Sequence, residues 1–151
     1  MWPYFQPNPI FVSQAHLDRL LEMAELAEDR GLDVCVTLLN GFLSGYRFIP
    51  YFVENETFFE SEQNDRVIEW FFRAAADAVS AQPNILGFDL GNELNCAWST
   101  LDTDAADRWM DRWLTLAETL HPQGVHVNGV DHRPWFWRET FSSKALATRQ
   151  S

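Results

Sequence analysis

The sequence predicts an α/β protein in which amphipathic helices alternate with short, buried strands. Apolar residues recur at helical spacing in three segments, and a short apolar run follows each of them. The resulting order of helix, strand, helix, strand, helix, strand favours parallel strands joined by right-handed crossovers. A hydrophobic content of 46% in 151 residues supplies enough apolar material for one core.

The first part of the chain predicts one helix and one strand after an irregular start. Prolines at three of the first nine positions exclude regular structure there. Ser13 is typical of an N-cap, and the spacing after it predicts a helix over residues 14–30 that ends at Gly31. Leu32–Leu39 is a nearly continuous apolar and β-branched run, the pattern of a parallel strand buried on both faces. We therefore expect the Cys35 thiol within it to be buried.

The second part repeats this pattern twice. Helical periodicity over residues 62–81 is followed by a buried strand at Ile85–Gly91, and a helix near residues 103–120 is followed by a strand at Val125–Val130. Between the first strand and the second helix, Asn40–Glu60 is longer and more aromatic than a simple connection requires. Loops of this length tend to be functional.

Two architectures fit about three parallel β/α units: an open, doubly wound sheet and part of a closed eight-stranded (β/α)8 barrel, the TIM barrel. No glycine-rich phosphate-binding turn follows a strand, which weakens the nucleotide-binding versions of the open sheet. A barrel takes about 250 residues. We therefore expect residues 1–151 to form a single, partial barrel domain. Its unpaired sheet edges could associate with a second copy of the chain.

Composition narrows the choice of partner. The chain has 22 acidic against 11 basic residues and a formal charge of −11, which would repel a phosphate backbone, so no nucleic-acid partner is expected. No apolar stretch approaches the roughly 20 residues that cross a bilayer.

Aromatic residues reach 15%, and several tryptophans fall in predicted loops. Such rings can simply fill gaps, but they also suit carbohydrate, because the C–H face of a sugar packs on an aromatic plane.

The second strand carries the strongest candidate for chemistry. Because side chains alternate along a strand, Leu86, Phe88 and Leu90 are predicted to lie on one face. Asp89 and Glu93 are predicted on the other, with Glu93 at the mouth of a barrel and Asp89 one layer below. A carboxyl group at the mouth can donate a proton to a leaving oxygen. A glutamate at this position could also do no more than cap the following helix.

The stretch NILGFDLGNE at 84–93 resembles the fourth strand of clan A glycoside hydrolases. Family 5, the cellulase and mannanase group, is the closest likeness. The resemblance implies that Glu93 is the catalytic general acid/base and that Asn92 holds the 2-hydroxyl of the sugar.

Other stretches resemble the same family in the same order. WPYFQP at 2–7 resembles the loop after its second strand, LLNGFLSG at 38–45 resembles the loop after its third, and Val125–His132 lies where its fifth strand should be. The nucleophilic glutamate that the family carries after its seventh strand has no counterpart in the sequence. Because a retaining glycosidase needs both carboxyl groups, we expect the isolated chain to hydrolyse nothing.

The remaining candidate substrate contacts are three aromatic side chains and one histidine: Phe42, Trp98, Trp135 and His132. His126, Asp131 and His132 have the residue types of a metal site, but no second ligand cluster stands at a familiar spacing. We expect neither a metal nor an organic cofactor.

The leading hypothesis is part of a retaining β-glycosidase of the cellulase or mannanase type, with a β-linked polysaccharide or oligosaccharide as its substrate. The first alternative is a non-catalytic, carbohydrate-binding remnant of such a barrel. A second alternative is an open-sheet protein of unrelated function, which would be a stable monomer at this length.

Overall fold

The structure, a computed structural model, describes residues 8–43, 46–47, 58–94 and 103–129. Its helices and strands in chain order are α1 (Gln14–Glu28), β1 (Val34–Asn40), β2 (Phe42–Leu43), β3 (Tyr46–Arg47), α2 (Glu62–Val79), β4 (Ile85–Asn92) and α3 (Thr103–Leu120). The predicted alternation of helices with parallel strands is confirmed. Among the described residues, no helix is long and apolar enough to cross a membrane.

The first helix begins where the sequence predicted and ends two residues earlier. Ser13 occupies the N-cap position, but its hydroxyl pairs with the His16 ring at 2.8 Å rather than with a backbone N–H. At the other end, the Leu32 N–H donates to the Ala27 carbonyl at 2.9 Å and closes the last turn. Leu32 therefore belongs to the helix terminus, and the strand starts at Val34.

Three parallel segments form the sheet, in the same order in space as in the chain. β1 pairs with β4, with Thr37 opposite Asp89. On the other side of β4, the Val125 N–H donates to Leu86 O at 2.8 Å, and the Leu90 N–H donates to Val127 O at 2.8 Å. The third predicted strand is therefore a hydrogen-bonded segment at 125–129, with a single bridge, rather than a regular strand. Neighbouring β/α units lie side by side, as in a barrel.

One face of this sheet packs against all three helices. Apolar side chains of β1 and β4 meet those of α1, α2 and α3 in one cluster. Its largest fully buried members are Trp113, Phe58, Phe72, Ile68, Leu90, Leu94, Met110, Leu114 and Val79. This single apolar layer holds the strands in register and thereby sets the positions of the residues at their carboxyl ends.

The opposite face of the sheet is open, which corrects two predictions. β1 is not buried on both faces, because Cys35 and Thr37 on this side are exposed. The expectation of a buried Cys35 thiol is therefore wrong. In a closed barrel this face would look inward, onto side chains of other strands.

A bulge at the start of β4 corrects a third prediction. Val34 pairs with Ile85 but Cys35 pairs with Gly87, so β4 has one residue more than β1 over this step. Ile85 therefore joins Phe88 and Leu90 in the core. Leu86 does not lie with them as predicted, and it is 52% exposed.

Candidate active site

Glu93 lies at the carboxyl end of β4 in a strained backbone conformation. It follows the last strand residue, is partly exposed, and has a φ of +50°. That left-handed region costs an L-residue about 1–2 kcal/mol. Such strain persists where the surroundings determine the conformation, and it concentrates at functional sites. The Glu93 N–H donates to the Gly129 carbonyl at 3.0 Å, which ties the residue to the neighbouring 125–129 segment.

Asn92 connects this turn to the loop after β1. Its carbonyl accepts the Gly41 N–H at 3.0 Å, and its side-chain amide donates to the Phe42 carbonyl at 2.5 Å. Three residues that the sequence singled out, Phe42, Asn92 and Glu93, are therefore brought together. Because one amide hydrogen of Asn92 is used by the backbone, the side chain is held in one orientation.

Leu94 anchors the same turn from below. Its side chain is fully buried in the core cluster. A Cβ on Gly91 would lie 2.7 Å from Leu94 Cγ, and one on Gly41 would lie 2.9 Å from Leu94 Cα. Leu94 therefore packs closely against two glycines. Because it is buried and follows Glu93 directly, it limits how far Glu93 can move.

Asp89 lies one layer deeper on the open face of the sheet. Its Oδ2 accepts the Thr37 hydroxyl at 3.0 Å, and its Oδ1 accepts the N–H groups of Gly91 at 3.1 Å and Gly129 at 2.9 Å. Burial raises the pKa of this carboxyl, and the three hydrogen bonds partly oppose that rise. Partial shielding from water also raises the pKa of the neighbouring Cys35 thiol, and the Asp89 charge raises it further.

Trp98, Trp135 and His132, the other predicted substrate contacts, lie outside the described residues, as does Asp131. Their roles stay predictions.

The sequence did not single out Thr37 or Gly129, although both contact Asp89. Alternation along β1 could have placed Thr37 on the correct face, but only the pairing register puts it opposite Asp89.

His126 has a structural role. Its Nδ1 accepts the Phe88 N–H at 3.2 Å, so its Nε2 carries the proton and donates to the His121 carbonyl at 2.9 Å. Its ring stacks on Phe88, with 5.7 Å between centroids. Both nitrogens are thus occupied. In the part of the chain that is described, no group of three His, Cys, Asp or Glu side chains could hold a metal ion.

This arrangement predicts a loss of stability in mild acid. Burial lowers the pKa of His126, so below about pH 6.5 the unfolded state binds more protons than the folded state. The free energy of unfolding should therefore fall as pH drops below about 6.5. Urea denaturation at pH 5 and pH 7.5 measures the difference.

The control for that measurement is His126→Gln, whose amide oxygen can accept the Phe88 N–H without titrating. Nearby His121 and Glu118 remain in both proteins. A pH dependence that is the same in wild type and His126→Gln would contradict the assignment.

A concavity lies between α2 and α3, with a volume of about 360 Å³ and with Trp109 and Arg112 in its lining. Arg112 forms ion pairs with Asp65 and Glu69, and its guanidinium lies 4.8 Å from the centre of the Trp113 ring. Burial raises the pKa of Asp65, and the charge of Arg112 opposes that rise. These contacts hold the two helices together.

Comparison with solved structures shows that the chain has a known fold. No protein-family model and no curated protein matches the sequence. A variant of a GH5_18 protein from Streptomyces cattleya, solved in complex with Manβ1-4GlcNAc, matches at 26% identity with a TM-score of 0.82, covering 92% of this chain and 36% of that one.

Two further solved structures match with the same fold. The exo-β-1,4-mannosidase Op5Man5 from Opitutaceae bacterium strain TAV5 is 24% identical, with a TM-score of 0.78 and coverage of 99% of this chain and 29% of that one. An endo-β-1,4-mannanase from Thermotoga petrophila is 15% identical, with a TM-score of 0.68 and coverage of 96% and 38%.

The described α/β unit is therefore consistent with part of a β/α barrel. The resemblance to glycoside hydrolase family 5 that the sequence indicated is confirmed. The chain spans about a third of the length of these solved structures. Their names include a mannosidase and a mannanase, and the cellulase half of the expectation has no support among them.

Proposed function

We propose that this chain supplies the acid/base part of a retaining β-glycosidase, with Glu93 as the proton donor and a β-linked mannoside as the substrate. The observation that carries the proposal is the geometry at the end of β4. Glu93 is partly exposed, is held in a left-handed conformation and is next to an immobilised Asn92. The matching S. cattleya structure holds Manβ1-4GlcNAc, which supports the choice of sugar.

The chemistry divides into two steps. Glu93 first donates its proton to the leaving glycosidic oxygen while a second carboxylate attacks the sugar. It then removes a proton from the water that releases the sugar. The two carboxyl groups stand about 5–5.5 Å apart in such enzymes. We expect the second carboxylate to come from a barrel segment outside the third that this chain matches.

Asn92 is suited to holding the substrate in place. Its donation to the Phe42 carbonyl uses one amide hydrogen, which leaves the second hydrogen and the amide oxygen to contact a sugar hydroxyl. A site built to hydrogen-bond a hydroxyl discriminates strongly against sugars that present that hydroxyl differently. Asn92 would therefore orient the sugar while Glu93 transfers the proton.

A chimeric barrel tests the function. In it, this chain replaces the matching third of the S. cattleya GH5_18 protein, which supplies the remaining segments. We expect the chimera to hydrolyse Manβ1-4GlcNAc and to leave cellobiose intact. The isolated chain is expected to hydrolyse neither. Released monosaccharide, measured by chromatography, reports both reactions.

The unmodified S. cattleya protein is the positive control, and circular dichroism shows whether the chimera folds. A folded chimera that binds the disaccharide without cleaving it would favour the carbohydrate-binding alternative. Sustained hydrolysis by the isolated chain would contradict the expectation that a second carboxylate lies elsewhere. Association of the chain through its open sheet edges stays a prediction, and sedimentation of the isolated chain would measure it.

A further inference from the structure

Asp89 joins all three parallel segments of the sheet through one carboxylate. The donors come from Thr37 on β1, from Gly91 on β4 itself and from Gly129 on the 125–129 segment. One oxygen, Oδ1, accepts two backbone N–H groups, and the other accepts a hydroxyl. A partly buried acid that meets three donors from three segments does more than fill space, since each bond fixes the position of a different piece of backbone.

Gly129 connects this carboxylate to Glu93. Its N–H donates to Asp89 Oδ1 at 2.9 Å, and its carbonyl accepts the Glu93 N–H at 3.0 Å. The contact is close, because a Cβ on Gly129 would lie 2.9 Å from the Gly91 carbonyl oxygen. The hydrogen bond from Glu93 to Gly129 is therefore only as well placed as Gly129 itself, and Asp89 holds Gly129.

Glu93 needs such a hold because its backbone is strained. At a φ of +50°, the residue would relax toward an ordinary conformation unless its neighbours prevented it. Asn92 and Leu94 restrain the two sides of the turn through Gly41 and Phe42. The Glu93 N–H itself donates to Gly129, and the N–H of Gly129 donates in turn to Asp89.

We propose that Asp89 is a positioning residue, which holds Glu93 in its left-handed conformation by fixing Gly129. The importance of this inference for catalysis rests on the proposed role of Glu93. The structural coupling between Asp89 and Glu93 can be measured without any activity. What the coupling requires is a hydrogen-bond acceptor at position 89. A negative charge is not required, because the Thr37 hydroxyl can donate or accept.

Two substitutions at position 89 separate these requirements. In Asp89→Asn, the amide oxygen can accept from Gly91 and Gly129 while its NH2 donates to the Thr37 hydroxyl. In Asp89→Ala, no acceptor remains. Asp77→Ala, on the exposed side of α2, is the matched control for the loss of an acidic side chain. Amide hydrogen exchange, followed by NMR, reports each protein residue by residue.

We expect Asp89→Ala to accelerate exchange at the Glu93 N–H about tenfold beyond any change at core amides of α2, the effect of one hydrogen bond. Asp89→Asn and Asp77→Ala should match wild type at residue 93. A merely structural role would instead accelerate residue 93 and the core amides by the same factor. That uniform change, or equal effects of Asn and Ala at position 89, would overturn the proposal.

A second measurement needs no variant at Asp89 and stands even where Asp89→Ala fails to fold. In a Glu93→Gln background, residue 93 no longer titrates, and the amide protons of Gly91, Gly129 and residue 93 are followed from pH 3 to 7. Asp89 also interacts with Cys35, whose thiol ionises at alkaline pH. The background carries His126→Gln as well, because His126 lies in the same 125–129 segment as Gly129 and its pKa is lowered from the usual value.

We expect the three amide protons to shift with one common midpoint, that of Asp89. If Gly91 and Gly129 shift while residue 93 does not, Asp89 does not act on position 93 and the proposal fails. Because neither measurement involves hydrolysis, an inactive chimera would count against the proposed function alone.

Discussion

Glu93→Gln is expected to lower the kcat of the chimeric barrel on Manβ1-4GlcNAc by about 10²–10⁴-fold, the usual contribution of general acid–base catalysis. Glutamine has nearly the same shape as glutamate and can keep both the left-handed backbone and the N–H bond to Gly129. It cannot give up or take a proton at working pH. KM should change little, since the substrate contacts of Asn92 remain.

Two comparisons make this result specific. Glu22→Gln, on the exposed face of α1, removes the same charge far from the turn and should leave kcat unchanged. With a substrate whose leaving group needs no proton, such as a dinitrophenyl β-mannoside, Glu93→Gln should slow the first chemical step less than it does with the disaccharide. An equal kcat for Glu93→Gln and the parent chimera would rule out Glu93 as the acid/base.

Gly87→Ala is expected to destabilise the chain by about 3 kcal/mol or more, at the upper end of overpacking effects. A Cβ at this position would lie 1.9 Å from the Val125 carbonyl oxygen and 2.7 Å from its carbon. Val125 cannot move away freely, because its N–H donates to the Leu86 carbonyl at 2.8 Å. Urea denaturation of the isolated chain gives the change in the free energy of unfolding.

Gly31→Ala is the matched control, since Gly31 also has a positive φ but a Cβ added there would have nothing within 4 Å. It should cost only the conformational strain, about 1–2 kcal/mol. If the two substitutions lower the free energy of unfolding equally, the close approach of the 125–129 segment to the bulge is not the reason for a glycine at position 87. In Gly87→Ala, exchange at the Glu93 N–H should also rise, because the segment that carries Gly129 is displaced.

Much of the architecture could be predicted because it depends on local periodicity. The helical spacing of apolar residues in α1, α2 and α3 and the two short apolar runs at β1 and β4 are properties of neighbouring residues, which can be read along the chain. The NILGFDLGNE stretch likewise indicated the family, and Glu93 could be singled out because strand-end position and residue type are both local.

The remainder depended on pairing between distant residues. Local pattern was sufficient for an α/β chain with Asn92 and Glu93 at the end of its second long strand. Three features arose only when the strands paired: a bulge moves Leu86 out of the core, Cys35 lies on an open face, and Thr37 meets Asp89. A one-residue shift in register exchanges the faces of a strand at no cost to local propensity, so that only packing and cross-strand hydrogen bonds select between the alternatives.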